Sequence, residues 1–261
     1  MQDLKSGDAL GKVVANMDVI EFQKRGLPHA HILIILADHD RIMTREFVNC
    51  AVVAELPPDP NQVMNSSKQA ELSQLETIVL TNMIHGPCGI ENPKCPCMQD
   101  GRCTKNFPKD FCRETIIDQD NNYATYRRQS PKDGGREIKC SKTGRIIDNR
   151  YVVPYNPFLS MRFNCHINVE FCTSPKATKY LYKYVTKGTD RAMVATVVRP
   201  DQTESPRDEI TEYEDLRSVG SSEATWHLMA FPITNRYPPV QALRVHTEDQ
   251  QQVIYLSNIF N

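Results

Sequence analysis

Two histidines one residue apart, His29 and His31, open an apolar run in the stretch VIEFQKRGLPHAHILIIL, residues 19–36. On a strand, residues two apart share a face. Both imidazoles then project the same way from Cα atoms about 7 Å apart, a spacing that suits joint ligation of one ion. A hairpin turn around Gly26 gives the first histidine a partner. The register that pairs Glu21 with His29 also pairs Val19 with His31, and it sets Glu21 on the histidine face. Such a His–His–carboxylate cluster is a mixed N/O site for Mg2+ or Mn2+, with positions left for phosphate oxygens. A His-x-His pair on a strand also serves purely structural ends. His166 and Asn168, on the polar face of a later predicted strand, are rivals for the third ligand.

A second chemical pattern is KATKYLYKYVTKG, residues 176–188. Tyr180 and Tyr184 are four apart and stack on one face of a helix, while Tyr182 points elsewhere. Lys179, Lys183 and Lys187 form a basic stripe beside them. Tyrosine can attack as a nucleophile and form a covalent intermediate. Against a phosphodiester, the lysines would hold flanking phosphates and metal charge would stabilise the transferring phosphoryl group. The plainer reading is an amphipathic helix with its tyrosine hydroxyls at the rim.

The third pattern is HGPCGIENPKCPCMQDGRCTKNFPKDFC, residues 85–112. Clustered thiolates in a Pro/Gly-rich loop can replace a missing core with Zn2+. The preferred ligand set is His85, Cys88, Cys97 and Cys103, with Cys95 as the alternate. The spacing departs from a clean C-x2-C pair, and buried free thiols are the competing reading. Cys50, Cys140, Cys165 and Cys172 read as ordinary cysteines, Cys165 on the core face of its strand.

The elements that must position these groups follow from periodicity. Residues 12–23 and 29–36 read as strands flanking the turn, and 44–54 as a helix. Residues 67–84 form an amphipathic helix with Leu72, Leu75, Ile78 and Val79 on one stripe and Gly86 as its stop. Residues 118–149 are polar and turn-rich, as in hairpins or an insertion. Residues 161–171, MRFNCHINVEF, alternate as a half-buried strand. Ser174-Pro175 opens the tyrosine helix, with proline at its first position and Gly188 at its end. A short helix over 223–230 surrounds the single Trp226.

Bulk properties bound the class. The chain has 261 residues, 40% hydrophobic and 24% charged, enough for a core and for solubility. The longest apolar run is far too short to span a bilayer. The opening MQDLKSGDALGKVV lacks an apolar h-region, so it reads as carrying no secretory signal. Nine cysteines in that setting point to a reducing compartment and to metal rather than disulfides. The net charge of −1 does not announce a nucleic-acid binder. Between Arg102 and Arg150, however, lie Lys105, Lys109, Arg113, Arg127, Arg128, Lys132, Arg136, Lys139, Lys142 and Arg145. A local basic stretch can contact phosphates whatever the total charge, and it can equally be a solvated surface. No internal repeat, low-complexity tract or P-loop pattern is present.

Taken together, the motifs VIEFQKRGLPHAHILIIL, the Cys-rich segment, RYVVPYNPFLSMRFNCHINVEFC and KYLYKYVTKG span most of residues 19–188, and SSEATWHLMAFPI extends them to 233. In order and content they resemble the Rep (HUH endonuclease) domain of Helitron transposases, the Helitron helicase-like N-terminal family. The resemblance implies an α+β fold, an antiparallel sheet with flanking helices of HUH/Rep type, carrying a Cys-rich, zinc-like insertion. It implies His29 and His31 as metal ligands and Tyr180 and Tyr184 as catalytic tyrosines. Glu21 stands eight residues before His29, similar to the ligand glutamate of viral Rep proteins. Mg2+ or Mn2+ is the implied cofactor, and the Cys-rich spacing adds a structural Zn2+ to the expectation. Single-stranded DNA at transposon ends is the implied partner, with no membrane and a nuclear location. The implied reaction is nicking and strand transfer through a 5′-phosphotyrosine with a free 3′-OH.

Against that family, a strand upstream of the histidine hairpin and a C-terminal helicase are lacking here. The expectation is therefore an N-terminally truncated core: a fragment, a degenerate copy or a truncated gene model. Four segments follow: 1–56, a partial core with the metal-binding hairpin; 57–150, a helix with the Cys-rich and basic insertion; 151–190, core strand and tyrosine helix; and 191–261, an extension toward the missing helicase. The alternative function is an inactive, zinc-stabilised single-stranded DNA-binding remnant. A metal hydrolase acting on a small substrate ranks last, because it leaves the tyrosine helix and basic segment unexplained.

Overall fold

A computed structural model of the chain describes residues 4, 9–22, 27–37, 44–118, 123–139, 144–173 and 219–239. The Gly26 turn, Cys140, Lys142 and the predicted tyrosine helix lie outside the described residues. The architecture is mixed α+β with small antiparallel sheets. Contacts divide it into two units, one of residues 1–14 and 34–218, the other of 15–33 and 219–261.

The second unit is built on strands β1 (Val13–Phe22) and β2 (Pro28–Leu36), which match the two predicted strands closely. β1 is the middle strand of a three-stranded sheet, flanked by β2 and β5 (Thr234–Tyr237). β1 and β5 run antiparallel, with Asn16 opposite Tyr237 and Val19 opposite Thr234. Neighbours pair with β1 along both of its edges, and Asn16, Met17, Asp18 and Val19 are all buried. The buried Asp18 carboxylate accepts from Asn16 Nδ2 at 3.3 Å and from Asn235 Nδ2 at 2.8 Å. The predicted Trp226 helix is present (Ser221–Leu228). Its indole packs edge-on against Phe22 at 5.9 Å and Phe231 at 5.3 Å. β2 is an edge strand of this sheet, so its apolar run is not buried as its composition led us to expect. Ile32 and Ile35 are 45% and 40% exposed.

The first unit holds helices α1 (Arg45–Ala51), α2 (Ser66–Asn82) and α3 (Pro157–Phe163). Each starts on a side-chain cap: Thr44, Asn65 and Asn156 accept from the backbone N–H of Phe47, Lys68 and Leu159. α2 presents Leu75, Ile78 and Val79 inward, with Leu72 half-buried, as the stripe requires. It ends at Met83, three residues before Gly86. One core gathers Val48, Val52, Tyr126 and Leu159; another gathers Leu75, Val79, Met83, Val152 and Tyr155.

A buried polar knot ties the loops over these cores. The Arg128 guanidinium is 5% exposed and donates to the carbonyls of Ala54, Asn149 and Val152 at 3.1, 2.5 and 2.7 Å. Asn149 accepts from Leu56 N–H at 2.8 Å and donates to Gln129 O at 2.9 Å. Glu55 takes Arg127 at 2.8 Å and the Gln129 N–H at 2.7 Å. Burial pulls the Arg128 pKa down to about 10, with Glu170 and Glu55 opposing. These carbonyls keep it in the protein at a cost water would otherwise impose.

Two expectations are corrected here. Residues 161–171 do not form a strand. Asn156 and Pro157 start a helix that runs to Phe163, and Asn164 closes it in the left-handed region at φ 45°. Residues 165–171 beyond it join no ladder and are held by Val169 N–H on Pro154 O and Phe171 N–H on the Tyr126 hydroxyl. The alternation survives in part, because Ile167, Val169 and Phe171 pack on the core. Cys165, expected on the core face, is exposed. Within the basic stretch, several arginines are paired with carboxylates. Arg113, Arg127, Arg136, Arg145 and Arg150 pair with Asp133, Glu55, Glu76, Glu91 and Asp148.

Candidate functional site

Two groupings of potential ligands emerge, one in each unit. In the second unit, β1 carries Glu21 and β2 carries His29 and His31. Glu21 Oε2 lies 3.2 Å from His31 Nε2, with both side chains about a quarter to a third exposed. The His29 and His31 rings sit edge-to-face with centroids 4.6 Å apart. The strand period thus brings the three expected side chains onto one face of the sheet. Of the rival ligands, His166 Nδ1 contacts the Asn82 carbonyl at 2.7 Å, and Asn168 donates to Glu170 at 3.1 Å. Both belong to the first unit. Tyr180, Tyr184, Lys179, Lys183 and Lys187 lie outside the described residues.

In the first unit the Cys-rich segment folds around a hairpin the periodicity did not reveal. Strands β3 (Met98–Gln99) and β4 (Arg102–Cys103) pair Gln99 with Arg102 across a two-residue turn. That turn is Asp100-Gly101, with φ of 50° and 75°. Positive φ at both positions is the type I′ geometry whose twist suits a tight hairpin, and Asp-Gly is its sequence signal. The hairpin brings Cys97 and Cys103 side by side. His85 and Cys88 come from the preceding loop, where Gly86 at φ 107° allows the reversal.

The ligand atoms of His85, Cys88, Cys97 and Cys103 all lie within 4.8 Å of one another. Cys103 is buried and the other three are half-buried. Cys103 Sγ is 3.3 Å from His85 Nε2. The His85 ring stacks on Phe107 at 4.2 Å and 15°. Cys95 lies beside the group, its thiol accepting from Cys97 Sγ at 3.5 Å. This Cys/His cluster could bind a metal such as zinc. It contains the four preferred residues and leaves out Cys95.

The local electrostatics separate the four. Burial, with Lys109, Arg145 and Lys105 nearby, lowers the His85 pKa and favours the neutral imidazole. Burial pushes the Cys97 thiol up to about 12, with the neighbouring Cys95 and Cys103 thiols adding to it. Burial also raises Cys88. Cys103 is lowered: burial acts against its thiolate, but backbone N–H groups of Phe107 and Lys105 together with the Cys97 and Cys88 thiols outweigh it. Those amides lie two and four residues on, where the chain wraps the sulfur through Asn106 at φ 54°.

The segment is anchored at both ends on one short stretch. His85 N–H donates to Tyr151 O at 2.8 Å, and Lys109 N–H to Arg150 O at 3.0 Å. Cations line it: Arg145 lies 4.2 Å over the Tyr151 ring and Arg150 lies 4.7 Å over Phe111.

Residues 1–34 match the family described as the Helitron helicase-like domain at N-terminus. The matched stretch includes Glu21, His29 and His31 and ends within β2. It supports a Helitron-related, transposon-related protein. No curated protein matches the chain. No described helix is long and apolar enough to cross a membrane.

Proposed function

We propose that the chain carries the nicking and strand-transfer chemistry of a rolling-circle transposase, acting on single-stranded DNA. The observation that carries this reading is the meeting of Glu21 with His29 and His31 on adjacent strands, within the stretch that matches the Helitron family. Cis ligands of an octahedral ion at about 2.1 Å sit about 3 Å apart. The 3.2 Å between Glu21 Oε2 and His31 Nε2 is compatible with that spacing. Bound Mg2+ or Mn2+ would withdraw charge from the scissile phosphate.

The chain's own residues do the rest. Glu21, His29 and His31 hold the ion at one edge of the sheet. Tyr180 or Tyr184 attacks the phosphorus in line, a P–O bond forms to the phenol oxygen, and the 3′-oxygen leaves with a proton. The downstream strand is then held as a 5′-phosphotyrosine. The second tyrosine permits another cleavage or a transfer before the first linkage is released. Lys179, Lys183 and Lys187 hold flanking phosphates. The test is incubation with 3′-end-labelled single-stranded DNA and Mn2+, followed by denaturing electrophoresis and peptide mapping. A label on Tyr180 or Tyr184 supports the reading; no adduct from folded, DNA-binding protein refutes it.

A second reading is an inactive, zinc-stabilised single-stranded DNA-binding remnant, favoured by the Cys/His cluster. It predicts strongly salt-dependent binding, no adduct, and indifference to Tyr180→Phe and Tyr184→Phe.

A further inference from the structure

We propose that His85, Cys88, Cys97 and Cys103 hold one structural Zn2+ as a closed Cys3His site, and that Cys95 is not a ligand. The site is separate from the Glu21–His29–His31 group and has the opposite chemistry. Three thiolates and an imidazole are a soft donor set that selects Zn2+ over Mg2+ or Mn2+.

The geometry fits the ion. Zn–S bonds of about 2.3 Å and Zn–N bonds of about 2.0–2.1 Å place tetrahedral ligand atoms about 3.5–3.8 Å apart. The four donor atoms lie within 4.8 Å of one another, and the closest of the measured pairs, His85 Nε2 and Cys103 Sγ, is at 3.3 Å. A slight expansion of that pair and contraction of the widest would bring the set to this spacing. With four protein ligands the coordination is complete, so no position is left for water, and the ion stabilises the fold without activating a nucleophile.

The surroundings are those of a ligating group rather than of loose thiols. Cys103 is the buried member of the set, and the chain turns back beside it, with Asn106 N–H donating to the Cys103 carbonyl at 2.9 Å. Phe107 fixes the plane of the His85 ring. Three thiolates around Zn2+ leave one net negative charge, and Lys105, Lys109 and Arg145 surround His85 to offset it. The segment 85–109 has little apolar core of its own and is tied down at its two ends, on Tyr151 and Arg150. The ion supplies the missing interior. The spare thiol of Cys95 reaches the group only through Cys97, at 3.5 Å.

The test uses the full chain, expressed with added zinc and kept reduced. Metal content after desalting should be one Zn2+ per chain. His85→Ala, Cys88→Ser, Cys97→Ser and Cys103→Ser should each abolish it, while Cys95→Ser and Cys112→Ser retain it. Because ligand variants could fail to fold, Co2+ exchange into the wild-type protein provides an independent reading. Intense tetrahedral ligand-field bands with charge-transfer absorption of three thiolates are expected. Absence of zinc from reduced wild-type protein, loss of zinc in Cys95→Ser, or an octahedral Co2+ spectrum would overturn the proposal. None of these readings depends on DNA nicking, so the site and the nicking reaction stand or fall separately.

Discussion

The carboxylate of Glu21 lies 3.2 Å from Nε2 of His31, joining the central strand of the small sheet to its edge strand. The contact spans the two strands most legible in the sequence. It also makes Glu21 the residue whose charge can be removed with least disturbance. Glu21→Gln keeps the shape and one hydrogen bond. We expect Mn2+ affinity, measured by electron paramagnetic resonance, to fall by about 10- to 100-fold. Thermal stability should change little, since the pair is partly exposed. Unchanged Mn2+ affinity would remove Glu21 from the ligand set.

The buried knot around Arg128 predicts a large structural effect far from any ligand. Asn149→Ala strips the Leu56 N–H of its acceptor and the Gln129 carbonyl of its donor. Each orphaned buried group costs about 1–3 kcal/mol. Urea unfolding should show a loss of at least that size in midpoint stability. A loss below about 0.5 kcal/mol, the range of ordinary surface changes, would contradict the knot.

Gly135 offers a steric test. A Cβ there would stand 2.0 Å from the Gln129 carbonyl oxygen. Gly135→Ala should destabilise by about 1–3 kcal/mol, as overpacking does, although alanine lowers the entropy of the unfolded chain. Equal or greater stability of the variant would show that the loop does not approach so closely.

Acid should loosen the Cys-rich segment. The His85 pKa is lowered from 6.5 in the folded protein by burial and by Lys109, Arg145 and Lys105. The unfolded chain therefore binds the extra proton more readily, and stability falls as pH drops through and below about 6.5. Protons also compete with metal for the imidazole and the thiolates. Melting curves from pH 8 to 5 should show a progressive loss, steeper for the zinc-loaded chain. His85→Ala should flatten the pH dependence; an unaltered slope would contradict the assignment.

What could be read from the sequence divides by range. β1, β2 and α2 announce themselves by local period, and the ligand types at His85, Cys88, Cys97 and Cys103 by composition. The Asp100-Gly101 turn was equally local and is a strong hairpin signal, but the strands on either side are too short to show alternation. Residues 161–171 mislead for the opposite reason. Their alternation reports burial of Ile167, Val169 and Phe171, not a ladder, and the Asn156-Pro157 helix start outweighs it. The Glu55–Arg127 and Arg128–Asn149 contacts join residues 72 and 21 apart, and nothing local marks them. For that reason the engagement of Arg113, Arg127, Arg128, Arg136, Arg145 and Arg150 with carboxylates and carbonyls could not be read from the charge of the run.

The most direct test is cleavage of single-stranded DNA by zinc-loaded protein with and without added Mn2+, compared between wild type and a His29→Ala/His31→Ala variant. The account predicts Mn2+-dependent nicking and a covalent protein–DNA band in wild type, both lost in the variant while its zinc content is unchanged. Equal nicking by the variant, or nicking that persists in EDTA, would contradict the role given to the two imidazoles.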